Sequence, residues 1–219
     1  MTAVTMPGTV VDARPVWRGW LHTVAFFAAI PGTFVLVGRA DHPSAKVAAL
    51  VYGLGLMAGF GTSAAYHRLA HTPRARRIMQ RMDHSMIFVL IAGTCTPICL
   101  LGLPAAWGVP LLCVVTAGAL LGIVLKQFAF ARFKYVEYAL YPGLGWAVTA
   151  TMPALVRTLN GPELTLLVAG GLVYTMGIPV LMWNRPNPWP DTFGYHEIWH
   201  AATVIGGACH FALVSMLVF

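Results

Sequence analysis

Two histidines four residues apart, His196 and His200, are the residues of this chain with the clearest chemical potential. On a helix, this spacing puts both side chains on one face, so both imidazoles can reach a single metal ion. With Glu197 they form the sequence His-Glu-x-x-His, which is typical of zinc sites. The run that follows is mostly apolar up to Phe219, and histidines entering a membrane span generally have a function there. The sequence therefore predicts a metal site at the start of an apolar helix.

The composition predicts that the helix carrying this site lies in a membrane. Hydrophobic residues make up 58% of the 219 residues and charged residues 10%, and the mean hydropathy is +0.72. A soluble domain carries roughly 25% charged residues. Apolar runs separated by short polar links predict one all-α membrane domain, 1–219, built as a seven-transmembrane helix bundle after a short N-terminal segment, 1–16. The predicted spans are about 17–37, 47–67, 84–103, 107–125, 136–156, 164–183 and 196–218.

The basic residues orient this bundle in the membrane. Eleven of the 14 lysines and arginines fall on the side of the N-terminus and of the second, fourth and sixth loops, and three fall on the opposite side. By the positive-inside rule, we predict a cytoplasmic N-terminus and a C-terminus that faces outside. This distribution also accounts for the net charge of +7, so no nucleic-acid partner is predicted. The arginine-rich second loop, 68–83, is interpreted as an orienting and lipid-contacting segment.

The predicted topology brings further polar residues to the depth of the histidine pair. His67 ends the second span, Ser63 lies one turn before it, and Asp83 directly precedes the third span. Three neutral imidazoles and a water make a common catalytic zinc shell, so we predict zinc bound by His67, His196 and His200. Asp83 would then act as general base on the zinc-activated water, and Ser63 would donate to the water or to a developing oxyanion.

Simpler interpretations exist for several of these residues. Asp83 could cap the third helix, and the histidine pair could extend toward lipid headgroups. His84 is a weaker candidate, because on a helix it points about 100° away from Asp83. His22 and His210 are single histidines within spans, where packing or hydrogen bonding is a more common role than ligation. The glutamate of this motif is the base in soluble zinc proteases, so Glu197 and Asp83 are both candidates for the base.

At these residues the chain resembles the hemolysin III family, the bacterial branch of the progestin and adipoQ receptor (PAQR) superfamily. The matching stretches are Ser63–His67, Arg81–Ile87, Ala92–Pro97, Trp183–Pro186, Phe193–His200 and His210–Phe211. The resemblance covers essentially all seven spans. It implies a seven-helix bundle in the bacterial inner membrane with zinc on His67, His196 and His200. It also implies that Asp83 hydrogen-bonds the zinc water and that Ser63 lies beside it.

The resemblance also suggests a reaction. The superfamily looks related to alkaline ceramidases, and its receptor members are linked to hydrolysis of the ceramide amide bond. We therefore predict a zinc-dependent hydrolase whose partner, as substrate or ligand, is a membrane lipid with an amide or ester bond. Two alternatives stay open: a pore-forming or lipid-sensing protein with structural zinc, as the family name suggests, and an intramembrane metalloprotease with Glu197 as base. The sequence gives no indication of the oligomeric state.

Overall fold

The computed structural model describes residues 15–128 and 134–219, so most of the predicted N-terminal segment, 1–16, lies outside the described residues. Within these ranges the chain is helical. The helices are α1 (Trp20–Arg39), α2 (Pro43–Leu69), α3 (Pro73–Leu101), α4 (Ala105–Phe128), α5 (Lys134–Gly145), α6 (Met152–Thr158), α7 (Gly161–Trp183) and α8 (Tyr195–Val218). All except α5 and α6 are long and apolar enough to cross a membrane. The prediction of an all-helical, multi-pass membrane protein is confirmed.

The predicted fifth span, 136–156, is not a continuous helix. Between α5 and α6 the chain forms a short 3-10 helix, Ala147–Thr151. Pro142 lies inside α5 and Pro153 lies in the first turn of α6. Proline removes a backbone donor and disfavours helix at the residue before it, and the interruption lies directly before Pro153, which opens α6. The Trp146 indole donates to a threonine hydroxyl of α7 at 2.9 Å, which ties the interruption to the bundle.

The helix that contains the third predicted span, 84–103, begins earlier than the sequence predicts. α3 starts at Pro73, and the side chain of Thr72 accepts a hydrogen bond from the Ala75 backbone N–H at 3.1 Å. Threonine at the cap followed by proline at the first helical position is a strong helix start. α3 therefore extends about 15 Å before Asp83, and most arginines of the predicted second loop lie on its first turns. The interpretation of Asp83 as a helix cap is wrong, since Asp83 lies well inside α3.

α2 and α3 pack closely because small residues face each other between them. A Cβ on Gly93 would lie 3.4 Å from the Cα atom of Gly55. Within a membrane there is little hydrophobic drive between helices, and small residues that let backbones approach are a main source of packing energy. The two helices run antiparallel from this contact, so the end of α2 lies beside Asp83 on α3.

α8 contacts most of the helices that build the site. α7 packs along α8, and α1, α2 and α3 also touch it. Tyr52 and Val214 are fully buried in a hydrophobic cluster shared by α1, α2 and α8. Leu155 and Leu213 are fully buried in a second cluster, which joins α3, α4, α6, α7 and α8. These clusters fix the C-terminal half of α8 against its neighbours, at the end of the helix opposite to its histidine pair.

Candidate metal centre

Three histidines from two helices converge at the end of the bundle where α8 begins. His67 lies in the last turn of α2, while His196 and His200 lie on one face of the first turns of α8. Each residue offers a ligand atom within 4.8 Å of the ligand atoms of the other two. The Nε2 atoms of His67 and His196 are 3.1 Å apart. Two nitrogens on a tetrahedral zinc ion lie about 3.3 Å apart, so this spacing fits a shared metal ion.

The donor set of the cluster fits a metal of the zinc type. His67 is 7% exposed and His200 is 2% exposed, so these two imidazoles are shielded from bulk water, and His196 is half-buried. A hydrogen bond between His67 and His196 would account for one close pair of nitrogens but not for the approach of the third ring. Three imidazole nitrogens leave one tetrahedral position open, as in catalytic zinc sites. The three histidines predicted as ligands are thus brought together in one buried group that could hold a metal ion.

Asp83 and Ser63 lie beside this group, as the sequence predicts. Asp83 Oδ2 is 4.0 Å from His67 Nε2, and the Asp83 side chain is only 14% exposed. Ser63 is buried one turn before His67 on α2, with its hydroxyl in hydrogen-bonding reach of the Asp83 carboxylate. At 4.0 Å a carboxylate oxygen is too far for a direct hydrogen bond but well placed to share a water with the histidine. All five predicted site residues therefore meet at one place.

Glu197 uses both carboxylate oxygens to hold the start of α8. Its Oε1 atom accepts a hydrogen bond from the Arg18 guanidinium, and Oε2 accepts one from the Gly194 backbone N–H at 2.8 Å. The residue is fully buried, so without the ion pair to Arg18 its carboxylate would be a buried charge with no cationic partner. A carboxylate in the first turn also satisfies an amide that has no partner within the helix. These contacts fix the turn that carries His196 and His200.

The segment just before α1 packs directly on the site. The backbone N–H groups of Val16 and Trp17 each donate to a carbonyl of the loop before α8, at 3.1 Å. Gly19 follows with φ +81°, and a Cβ at this position would lie 2.9 Å from the His67 Cβ atom. Arg18, between them, reaches Glu197. Sequence reasoning missed this role of residues 16–19, because no local pattern predicts which distant residues they contact.

Replacing Gly19 by alanine is expected to weaken metal binding by tenfold or more. The left-handed backbone costs a non-glycine residue about 1 kcal/mol or more. The added methyl would also collide with His67 and displace it. The measurement is a zinc titration in competition with a chelator. Gly38→Ala is a matched control on α1, since a Cβ there meets nothing within 4 Å. Equal zinc affinity in the two variants would contradict the packing role of Gly19.

His22 of α1 is a fourth histidine at this site. It is 6% exposed, and its ring lies parallel to that of His200, with centroids 3.9 Å apart. The prediction that His22 is a packed, hydrogen-bonded histidine fits this environment, but its packing partner is a predicted ligand. His22 lies near the same predicted membrane face as His67, so its position in the sequence already placed it at the depth of the site. His84 is not in the three-histidine group found in the described part of the chain.

Known proteins that are similar to this chain identify its family. The family model described as "Haemolysin-III related" matches residues 12–211. "Hemolysin-3" of Bacillus cereus is 32% identical over 200 residues, covering 90% of this chain and 88% of that protein. "Hemolysin-3 homolog" of Bacillus subtilis (strain 168) is 32% identical, covering 88% of this chain and 89% of that protein. The human protein "Monocyte to macrophage differentiation factor" is 26% identical, covering 88% of this chain and 79% of that protein. The predicted resemblance is confirmed: this chain belongs to the haemolysin-III-related family, within the PAQR superfamily.

Proposed function

We propose that this protein is a zinc-dependent hydrolase that cleaves an amide or ester bond of a membrane lipid, in the inner membrane of a bacterium. The observation that carries the proposal is the group of three imidazoles with a carboxylate 4.0 Å away, held among membrane-spanning helices. Three nitrogen ligands with an adjacent carboxylate are a common arrangement for hydrolytic zinc. A lipid can present its headgroup bond at this depth while its chains stay in hydrocarbon.

The proposed topology has seven crossings, a cytoplasmic N-terminus and a C-terminus outside. α4 ends at the same membrane side as α2, whereas α8 must start at that side for its histidines to meet His67. α7 therefore starts on the opposite side, and the segment 134–158 has to cross the membrane between α4 and α7. Irregular backbone is tolerated in a membrane where protein surrounds it. Eleven of the 14 basic residues then lie on the cytoplasmic side, which supports the orientation.

In the proposed reaction, each site residue has a separate task. His67, His196 and His200 would hold the zinc ion. Bound zinc supplies an activated water at neutral pH and polarises the carbonyl of the substrate. The Asp83 carboxylate accepts the proton released when a water attacks the carbonyl, and later returns it to the leaving amine or alcohol. Ser63 orients that carboxylate by hydrogen bonding, and the burial of the group keeps competing solvent out.

Asp83 is preferred over Glu197 as the base, and this choice distinguishes a lipid hydrolase from a metalloprotease. The carboxylate of Glu197 is already committed to Arg18 and to the Gly194 backbone. Losing either contact would leave a buried group without its partner, which generally costs several kcal/mol. Asp83 has no such ion pair with lysine or arginine among the described residues, and its contacts are with Ser63 and His67.

The function is tested with the purified full-length protein in detergent or vesicles. Zinc is measured by elemental analysis, and hydrolysis is followed with a labelled ceramide and a labelled glycerolipid ester. We expect one zinc per chain and cleavage of one of these lipids, with turnover falling to background after chelation and returning when zinc is restored. Absence of any metal would overturn the metal site. Bound metal without cleavage of either lipid, together with vesicle leakage, would instead support the pore-forming alternative with structural zinc.

A further inference from the structure

His22 packs its ring face against one histidine of the three-histidine group, and its ring edge lies against Thr203 on the same helix. Its face lies against the His200 imidazole, with 3.9 Å between centroids and 9° between ring planes. At its edge, Nε2 lies 2.8 Å from the hydroxyl oxygen of Thr203. Phe60 packs on the same ring at a centroid distance of 5.2 Å. His22 is therefore held on several sides, and it brings α1 into contact with the ring of a predicted ligand.

The hydrogen bonds determine which nitrogen of His22 carries the proton. The Thr203 hydroxyl donates to the backbone carbonyl of His200 at 2.8 Å. A hydroxyl has one hydrogen, so the Thr203 oxygen must accept its second hydrogen bond from the Nε2–H group of His22. The Nδ1 atom of His22 is then the unprotonated nitrogen, and it is buried without a hydrogen-bond partner. A flipped ring would lose the bond to Thr203, so one ring orientation of His22 is selected.

The same contacts restrict the ring of His200. His200 and Thr203 lie three residues apart on α8, so their backbone positions are coupled within one turn. His22 hydrogen-bonds to Thr203 and lies flat on His200. Rotation of the His200 imidazole about its Cβ–Cγ bond would drive it into the His22 ring. A ligand whose orientation is fixed before metal binds loses less conformational freedom when it binds, and partners that orient a ligating histidine are commonly worth 10- to 100-fold in metal affinity.

We propose that His22 and Thr203 form a positioning pair that holds the His200 imidazole in its metal-ligating orientation. His22 acts here as a positioning residue, without contacting the metal itself. This inference rests on the metal centre proposed above and extends it to α1, a helix that contributes no ligand. It also assigns a role to a membrane-buried histidine whose second nitrogen has no protein partner.

The proposal is tested by metal affinity and by the spectrum of cobalt bound in place of zinc. We expect His22→Ala to weaken zinc binding about 10- to 100-fold in chelator competition. His22→Phe keeps a ring against His200 but removes the Nε2–H donor, so its loss should be smaller. Thr203→Val removes the hydroxyl and should resemble His22→Phe. In each variant the visible absorption of bound cobalt should change, because that absorption reports the geometry of the ligands.

His210→Phe is the matched control for a buried membrane histidine. His210 is 8% exposed, its Nδ1 atom also lacks a hydrogen-bond partner, and its ring stacks on Tyr174 rather than on a ligand. A general loss of packing would affect His210→Phe as much as His22→Phe, whereas a positioning role affects only the latter. If wild type binds zinc and all His22 and Thr203 variants keep its affinity and cobalt spectrum, the inference is overturned. If wild type binds no metal, the proposed metal centre itself fails. His22→Phe and Thr203→Val provide the test if His22→Ala does not fold.

Discussion

Replacing His200 by alanine is expected to abolish stoichiometric zinc binding, with affinity falling more than a hundredfold. His200 is 2% exposed and lies between His22 on one side and the other two imidazoles of the group. Its loss leaves two nitrogens where a stable zinc site needs three or four protein ligands. The bound metal is measured by elemental analysis after dialysis, and the affinity by competition with a chelator. His67→Ala, which removes the predicted ligand on α2, should give the same result.

His71→Ala is the matched control for this prediction. His71 follows His67 closely in sequence but lies beyond the end of α2, where it is exposed and not part of the three-histidine group. Thermal unfolding adds a second readout. Metal at a hundred times its dissociation constant stabilises a protein by about 2.7 kcal/mol, so added zinc should raise the unfolding temperature of wild type and His71→Ala but not of His200→Ala. A zinc-dependent shift that survives in His200→Ala would remove this residue from the ligand set.

The sequence was sufficient to predict that these five residues lie close together because each signal for them is local or topological. The spacing of His196 and His200 on one helix face is a property of a single turn. The depth of His67 and Asp83 follows from the alternating direction of successive spans and from the distribution of basic residues. Neither argument requires knowledge of how the helices rotate about their axes. The predicted residues therefore lie together in the structure even though α3 begins earlier than predicted.

The misplaced boundaries have separate causes. A hydropathy pattern detects where the chain is apolar, whereas a helix begins where its cap lies. Thr72 followed by Pro73 is a signal for the start of a helix, but the many arginines that follow are typical of a polar loop. In the fifth segment, Pro142 and Pro153 fall within one apolar run. The run is long enough for a span, but its helix is interrupted just before Pro153, where proline disfavours helical backbone at the preceding residue.

The contacts of Arg18 and His22 with α8 depend on how the helices pack and could not be predicted from the sequence. Arg18 reaches Glu197 across 179 positions of sequence, and His22 reaches Thr203 across 181. These pairings require one particular rotation of α1 about its own axis where it packs against α8. The close packing of the whole bundle determines that rotation. The structural role of Glu197 was hidden for the same reason. Its motif predicts a catalytic base, whereas its actual contacts are an arginine from the segment before α1 and the backbone N–H of Gly194, the residue that caps its own helix.

Asp83→Asn is expected to lower lipid hydrolysis by about 10²- to 10⁴-fold while leaving zinc bound. The amide has nearly the same shape as the carboxylate and can still hydrogen-bond Ser63, but it cannot accept a proton at neutral pH. Asp83 Oδ2 lies 4.0 Å from His67 Nε2, so the substitution alters the neighbourhood of the metal without removing a predicted ligand. The measurement combines single-turnover hydrolysis of the lipid that wild type cleaves with zinc analysis of the same sample.

Glu197→Gln separates this mechanism from the protease alternative. Glutamine cannot form the ion pair with Arg18, so this variant should unfold at a lower temperature. Its folded fraction should retain most of the wild-type turnover, because the proposed base is Asp83. The comparison is made per folded, zinc-loaded protein, which removes the stability difference from the rate. Retained hydrolysis in Asp83→Asn with lost hydrolysis in Glu197→Gln would transfer the role of base to Glu197. Loss of zinc in Asp83→Asn would instead make the carboxylate part of the metal-binding group.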